Sequence, residues 1–431
     1  MIKQVYKNRK RIKFSSILIC IMFLYPLFAM TRFKQVLSPN IDKFSTTNEV
    51  WIIPLLLCIK RIFWDLEKER KYNLFMLILF ISLLSVILVG GFRVENLEQY
   101  VYAILILIIP INLLFLCKRK DINNLNFFLK LFTAICLIYS LGYIFATSNY
   151  DFLSKLMGNT IYSRSFISSD QHRAKLMIGS AITVANYFTM SLPILFYVYF
   201  RRYSIRWNAI SLISIIFNLI ASALTLSRLG FFSSILIAMS CIFFQIESKN
   251  KFAKRFLIII LAILGFSIIM IRYDIGRLFM GFHDTSVLSR LSSIYLGIYI
   301  FQKNPLFGSG MGSHFTRLYT DNSLKIDDLY GLIDPHNVYV LILSEIGLIG
   351  LIIIILFILC LFYRLSQIPD KMFRKTSYLI VFAAAISGIG GSHLVNEISY
   401  SIVFWIYMSF FYSASYLGVR EFEEISKNKC T

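Results

Sequence analysis

The sequence predicts an all-α polytopic membrane protein of about twelve spans. Three observations carry that prediction. Hydrophobic residues make up 57% of the 431 positions and charged residues only 16%. Apolar runs long enough to cross about 30 Å of hydrocarbon recur along the whole chain. Between them, every second turn is dense in Lys and Arg. The runs fall at 14–31, 50–64, 72–92, 100–117, 125–147, 180–200, 206–226, 229–246, 254–272, 336–363, 375–395 and 397–418. No polar stretch is long enough for a separate soluble domain, so residues 1–431 read as one membrane domain.

In chain order, the first run follows Lys3, Lys7, Arg9, Lys10, Arg11 and Lys13 and has Ala29 near its end. A secretory signal has that form, but the many spans behind it favour a retained anchor. The second run is short and interrupted by Pro54. Basic clusters then mark alternate turns: Lys60/Arg61/Lys68/Arg70/Lys71, Lys118/Arg119/Lys120, Arg201/Arg202/Arg206, Lys249/Lys251/Lys254/Arg255 and Arg364/Lys371/Arg374/Lys375. About 28 Lys and Arg lie on that side against about 15 on the other, so the positive-inside rule places both termini in the cytoplasm. The formal charge of +21 is thereby explained by topology, and a nucleic-acid partner is not indicated.

Two long outer segments interrupt the regular spacing. One is 148–179; the other is the large loop 273–335 between spans nine and ten. Within the second, 286–302 carries Val287, Leu288, Leu291, Ile294, Tyr295 and Ile298 at helical spacing, with Arg290 among the polar positions. That pattern predicts an amphipathic helix at the outer interface. The following Asn304-Pro305-Leu306-Phe307-Gly308-Ser309-Gly310-Met311-Gly312 is a Gly-rich turn that ends it. Cys20, Cys58, Cys117, Cys136, Cys241 and Cys360 lie in or at the ends of spans and Cys430 in the inner tail, so no disulfide framework or Cys-based metal site is indicated.

Cationic groups on the outer side run against the orientation rule, and they are the candidates for chemistry. Arg228 stands in a very tight outer hairpin, Leu224-Thr225-Leu226-Ser227-Arg228-Leu229-Gly230, as its single charge. An arginine at a span centre carries a penalty of roughly 2.5–3.5 kcal/mol, less near the interface. Its structural alternative is to snorkel to headgroups or to satisfy helix C-terminal carbonyls. All five histidines, His172, His283, His314, His336 and His393, also fall on the outer side. In Asp334-Pro335-His336-Asn337 the imidazole lies at the start of the tenth span, where it could take a proton from a hydroxyl. Asp334 could orient it or act as a plain helix cap. Glu345 lies about two turns into the same span, a position where a carboxylate is usually paired or functional. The remaining histidines lack helical i,i+4 spacing, which leaves metal out. Asp-x-Asp, P-loop, G-x-S-x-G and Rossmann patterns are absent. No internal repeat or matched pair of broken helices marks a transporter.

The order of these motifs resembles the O-antigen ligase and polymerase family of bacterial membrane glycosyltransferases. The matching residues begin at Arg173 ahead of the sixth span. They continue through Thr225-Leu226-Ser227-Arg228-Leu229-Gly230, Arg290 and Asn304–Gly312, and end at Pro335-His336-Asn337-Val338-Tyr339 and Glu345-Ile346-Gly347-Leu348-Ile349-Gly350. The likeness spans roughly 160–355, and its last two blocks are the most specific. It implies transfer of a glycan from an undecaprenyl-diphosphate carrier to an acceptor hydroxyl at the outer face of the cytoplasmic membrane, without metal or cofactor. Arg228 and Arg290 would then grip the diphosphate, with Arg173 as a third contact. His336 would act as base, and Ser227, Asn337 and Glu345 would line the substrate site.

Arginine forks suit this task because they bind phosphoryl oxygens bidentately where negative charge develops. At roughly 4 Å and an effective dielectric of about 20, each charge pair is worth on the order of 4 kcal/mol before desolvation. The compact outer loop and a Lys/Ile/Asn-rich composition, suggestive of a low-GC bacterium without lipopolysaccharide, favour a polymerase of capsular or exopolysaccharide repeat units. A ligase is the alternative, and a lipid-linked oligosaccharide flippase is the rival of another class. Membrane lipids, a chain-length regulator and a flippase would be its partners.

Overall fold

A computed structural model describes residues 70–91, 114, 117, 122–149, 162–164, 172–174, 181–201, 203–245, 285–311, 336–391 and 398–418. The spans expected at 14–31, 50–64 and 254–272, and nearly all of 100–117, lie outside the described residues. The others appear as helices: α1 (Arg70–Gly91), α2 (Leu125–Ser148), α3 (Ala181–Arg201), α4 (Ile205–Leu224), α5 (Arg228–Gln245), α7 (Val338–Ser366), α8 (Lys371–Ile389) and α9 (Ile398–Ala414). Six of them, α2 to α5, α7 and α8, are long and apolar enough to cross a membrane. The helix foreseen in the large loop is α6 (Thr285–Lys303). The protein is thus an all-α polytopic membrane protein. One detail was not foreseen: the first long loop holds a short antiparallel hairpin, β1 (Tyr162–Arg164) and β2 (His172–Ala174), with Ser163 opposite Arg173.

Helix α3 is the axle of the fold. Every residue from Thr183 to Val198 is buried, and α2, α4, α5, α8 and α9 all pack on it. That enclosure keeps its polar side chains Thr183, Asn186, Thr189 and Ser191 out of hydrocarbon. Close approach of α3 and α5 is set by small residues. A Cβ at Gly230 would run into the Ala185 methyl. The hydroxyls of Thr189, Ser222 and Ser234 share a network around the Gly230 carbonyl, with Thr189 and Ser234 2.7 Å apart. Further along, Gln245 donates to the Pro193 carbonyl (3.0 Å) and to Thr376 (2.8 Å), which ties α5 to α3 and α8. Such bonds use polar groups that hydrocarbon cannot satisfy. Outward faces are apolar: Phe127, Ile138, Leu141 and Phe145 on α2 recur at helical spacing and are exposed, as lipid contact requires.

The helices α3, α5 and α7 end together, and basic residues gather there. Arg201 of α3 pairs with Asp370 at 3.1 Å, while the other oxygen of Asp370 caps α8 by accepting from the Phe373 N–H. Lys375 donates to the Phe244 carbonyl at the end of α5 (2.7 Å), and Arg374 to the Ser366 carbonyl at the end of α7 (3.1 Å). Arg364 is buried with its guanidinium 4.2 Å from the Tyr416 ring centre. Lys375 and Arg374 thus meet helix C-terminal carbonyls, where the macrodipole favours cations. Charges that the orientation rule assigns to the cytoplasm therefore also fasten the helix ends.

Candidate functional site

The opposite end of the bundle holds most of the residues singled out in the sequence. Its first component is the α4–α5 hairpin. Leu226 adopts φ 55°, an unusual conformation for a side chain with a Cβ, and this turns the chain within three residues. Ser227 then caps α5: its hydroxyl accepts from the Gly230 N–H at 3.2 Å, and its own N–H donates to Thr225 Oγ1. Arg228 is therefore the first residue of α5, half-buried, beside the positive end of that helix. The last carbonyls of α4, at Ala221, Ser222 and Ala223, accept instead from the backbones of Thr225 and Leu226. Capping by the turn itself removes most of the motive for Arg228 to serve as a helix cap.

The second component is the start of α7. Asn337 caps it, its Oδ1 accepting from the N–H groups of Tyr339 (3.0 Å) and Val340 (3.1 Å). Its Nδ2 donates to the carbonyl of Ile389 at the end of α8 (3.2 Å). His336 precedes this cap, half-buried, with its Nδ1 enclosed. Tyr339 adds a second tie by donating from its hydroxyl to the Ala385 carbonyl at 2.8 Å.

The C-terminal end of α8 joins the two. Next to Ile389, Gly390 packs on Leu229, and a Cβ at Gly390 would collide with the Leu229 side chain. Leu229, next to Arg228, and Asn337, next to His336, thus meet one short stretch, Ile389–Gly390. Sequence reasoning did not include this stretch. The signal was present in Ser387-Gly388-Ile389-Gly390-Gly391, whose glycines permit the approach of α5 and α7.

Arg290 is half-buried on α6, which packs along α7. The buried face of α6 is Ser293, Leu296, Gly297 and Ile300, whereas Leu291, Tyr295 and Ile298 of the expected apolar stripe are exposed. In lipid the apolar stripe can face outward, because the surrounding medium is as apolar as the core. Glu345 is buried in α7 immediately before a break at Gly347, where φ 74° and ψ −172° leave helical geometry. The Gly-rich turn after α6 docks into that break. Nothing in the sequence reading joined these two Gly-containing motifs. Arg173 stands on β2, which packs against α2.

What this arrangement can do is hold an anion. The Arg228 guanidinium and the N-terminal ends of α5 and α7 give positive potential with hydrogen-bond donors, whereas Arg290 stands on α6. An imidazole stands beside them as a proton acceptor. Comparison with known proteins accords with the motif reading. No curated protein matches the chain. A family model described as O-antigen ligase matches residues 213–355. The matched stretch takes in Ser227, Arg228, Arg290, His336, Asn337 and Glu345 and leaves Arg173 outside it. Over that stretch, about a third of the chain, the sequence is similar to the O-antigen ligase family.

Proposed function

We propose that this protein is a metal-independent membrane glycosyltransferase that joins undecaprenyl-diphosphate-linked oligosaccharide repeat units into a surface polysaccharide at the outer face of the cytoplasmic membrane. One observation carries the reading. Within the family-matched stretch, Leu229 and Asn337, the residues next to Arg228 and His336, contact the adjacent Gly390 and Ile389 at the end of α8.

In the proposed reaction the arginines bind the diphosphate of the donor. The His336 imidazole accepts the proton of the acceptor sugar hydroxyl, and the hydroxyl oxygen forms a bond to the anomeric carbon of the donor glycan. The bond from that carbon to the diphosphate oxygen breaks, and its electron pair leaves on the lipid diphosphate. Arg228 and Arg290 stabilise the charge that grows there, and only the part that strengthens in the transition state accelerates transfer. Arg173 would add a third contact from β2. The donor, the acceptor glycan, membrane lipids, a flippase and a chain-length regulator are the partners this reading requires.

The matched family's description supports ligation as a second reading, in which a lipid or cell-wall hydroxyl replaces the sugar acceptor. Transport draws support from the broken helix α7, a device that transporters use. Against it, the carbonyls of Ser344 and Glu345 and the N–H groups of Leu348 and Ile349 at the break are taken up by the 305–310 turn, not offered to a cargo. The test is a pair of chromosomal variants, His336→Ala and Arg228→Glu, with the protein level confirmed. Loss of polymer with accumulation of single lipid-linked repeats is expected. Long chains retained on the carrier would indicate a ligase, and normal polymer in either variant would end the enzyme reading.

A further inference from the structure

The break in α7 is a splice. In an unbroken helix the Leu348 N–H would donate to the Ser344 carbonyl, and the Ile349 N–H to the Glu345 carbonyl. Here those two carbonyls accept from the N–H groups of Ser309 (2.9 Å) and Gly310 (3.0 Å). The two N–H groups donate instead to the carbonyls of Pro305 (2.9 Å) and Leu306 (3.1 Å). Two helical bonds are thus replaced by four bonds to the turn that follows α6.

Two glycines make the insertion possible. Both have positive φ, 69° at Gly308 and 74° at Gly347. A Cβ on Gly308 would strike the Glu345 carbonyl, and a Cβ on Gly347 would strike the Gly308 nitrogen and the Leu306 carbonyl. From α1, Gly90 closes the back of the turn, where a Cβ would lie 3.1 Å from the Gly310 Cα. Asn304 braces the turn from within, donating to Ser309 Oγ at 3.3 Å.

We propose that this turn is a latch that positions Arg290 relative to His336, with Gly308 and Gly347 as its positioning residues. Arg290 lies on the helix that ends at the latch, and His336 begins the helix that the latch interrupts. About 15 Å of helix separates Gly347 from Asn337, and about 20 Å separates Asn304 from Arg290. The depth at which α6 docks into α7 therefore fixes the offset between guanidinium and imidazole. Closing α7 into a continuous helix would restore its own bonds and release the turn. That continuous helix would be the open state of the proposed latch. The identity of the residues it positions rests on the proposed transferase reading; the latch itself does not.

The two are tested separately. Ser309 is fully buried, so Ser309→Cys in the full-length protein in membranes should resist a membrane-impermeant maleimide. Adding Gly347→Ala should raise the labelling rate at least about tenfold, with an unchanged size-exclusion profile, because alanine favours the continuous helix. Gly308→Ala reads the same contact from the turn side. Equal labelling with and without either alanine, or rapid labelling of Ser309→Cys alone, would overturn the latch. Failure of both alanine variants to accumulate, while Gly142→Ala in open space does accumulate, would also overturn it, because the contact would then be an obligatory part of the fold. Polymer assays do not enter the labelling result, so either proposal can fall while the other stands.

Discussion

Replacing Asn337 separates a positioning role from substrate contact. The side chain caps α7 through two acceptor bonds to Tyr339 and Val340 and bridges to Ile389 through its amide. Loss of an N-cap costs about 1 kcal/mol, and an interhelical hydrogen bond in a membrane averages about 0.6 kcal/mol. Asn337→Ala should therefore destabilise by about 1.5 kcal/mol, which for a chain of this length lowers Tm by on the order of 2 °C. Asn337→Asp keeps the cap but loses the donor to Ile389 and sets a carboxylate beside a carbonyl, so it spares α7 while loosening α8. Thermal unfolding in detergent, read together with polymer formation, checks both variants. Under the positioning role, Asn337→Ala lowers Tm and polymer yield together, whereas Asn337→Asp reduces yield with a smaller Tm change. An unchanged Tm in the alanine variant, with activity abolished, would refute the reasoning and make Asn337 a substrate contact.

Two further predictions concern the frame. Gly230→Ala should destabilise by about 1–3 kcal/mol through overpacking against Ala185, and Ala185→Gly in the same chain should restore most of the loss; thermal unfolding of the single and double variants checks the pair. At the basic end, Arg201→Ala should change stability by less than about 1 kcal/mol because the pair is partly exposed. Asp370→Ala there should cost about 1 kcal/mol more through the lost cap on Phe373, a difference that denaturant titration resolves.

The fold was legible where one periodicity spoke for itself. The runs at 125–147, 206–226 and 229–246 match α2, α4 and α5 within a few residues, because length and apolar content suffice to specify a span. The span drawn at 375–395 ends earlier, at Ile389, since the following glycines end the helix sooner than hydropathy does. Within α6, Leu291, Tyr295 and Ile298 of the apolar stripe that marked it as amphipathic are exposed, because in lipid apolar character no longer distinguishes inside from outside. Of the candidate site, Arg228 and His336 were visible as misplaced charges. The residues that bring them together, Ile389 and Gly390, carry no charge and act through backbone groups and the absence of a Cβ. Pairing between Pro305–Gly310 and Ser344–Ile349 was equally hidden, since backbone bonds leave little trace in side-chain patterns.

The direction of the helices gives the site its electrostatic logic. Helices α3, α5 and α7 start at one end and finish at the other, so their macrodipoles add. At the finishing end, Lys375 and Arg374 lie on the carbonyls of Phe244 and Ser366, and each charge is matched to a negative helix terminus. At the starting end the same dipoles are positive, and Arg228 stands on one of them. A guanidinium there adds to the positive potential of the helix end. A diphosphate would meet both charges at once, the guanidinium through its fork and the helix end through its N–H groups. In the proposed reading, a site for a lipid diphosphate at the membrane face would use both.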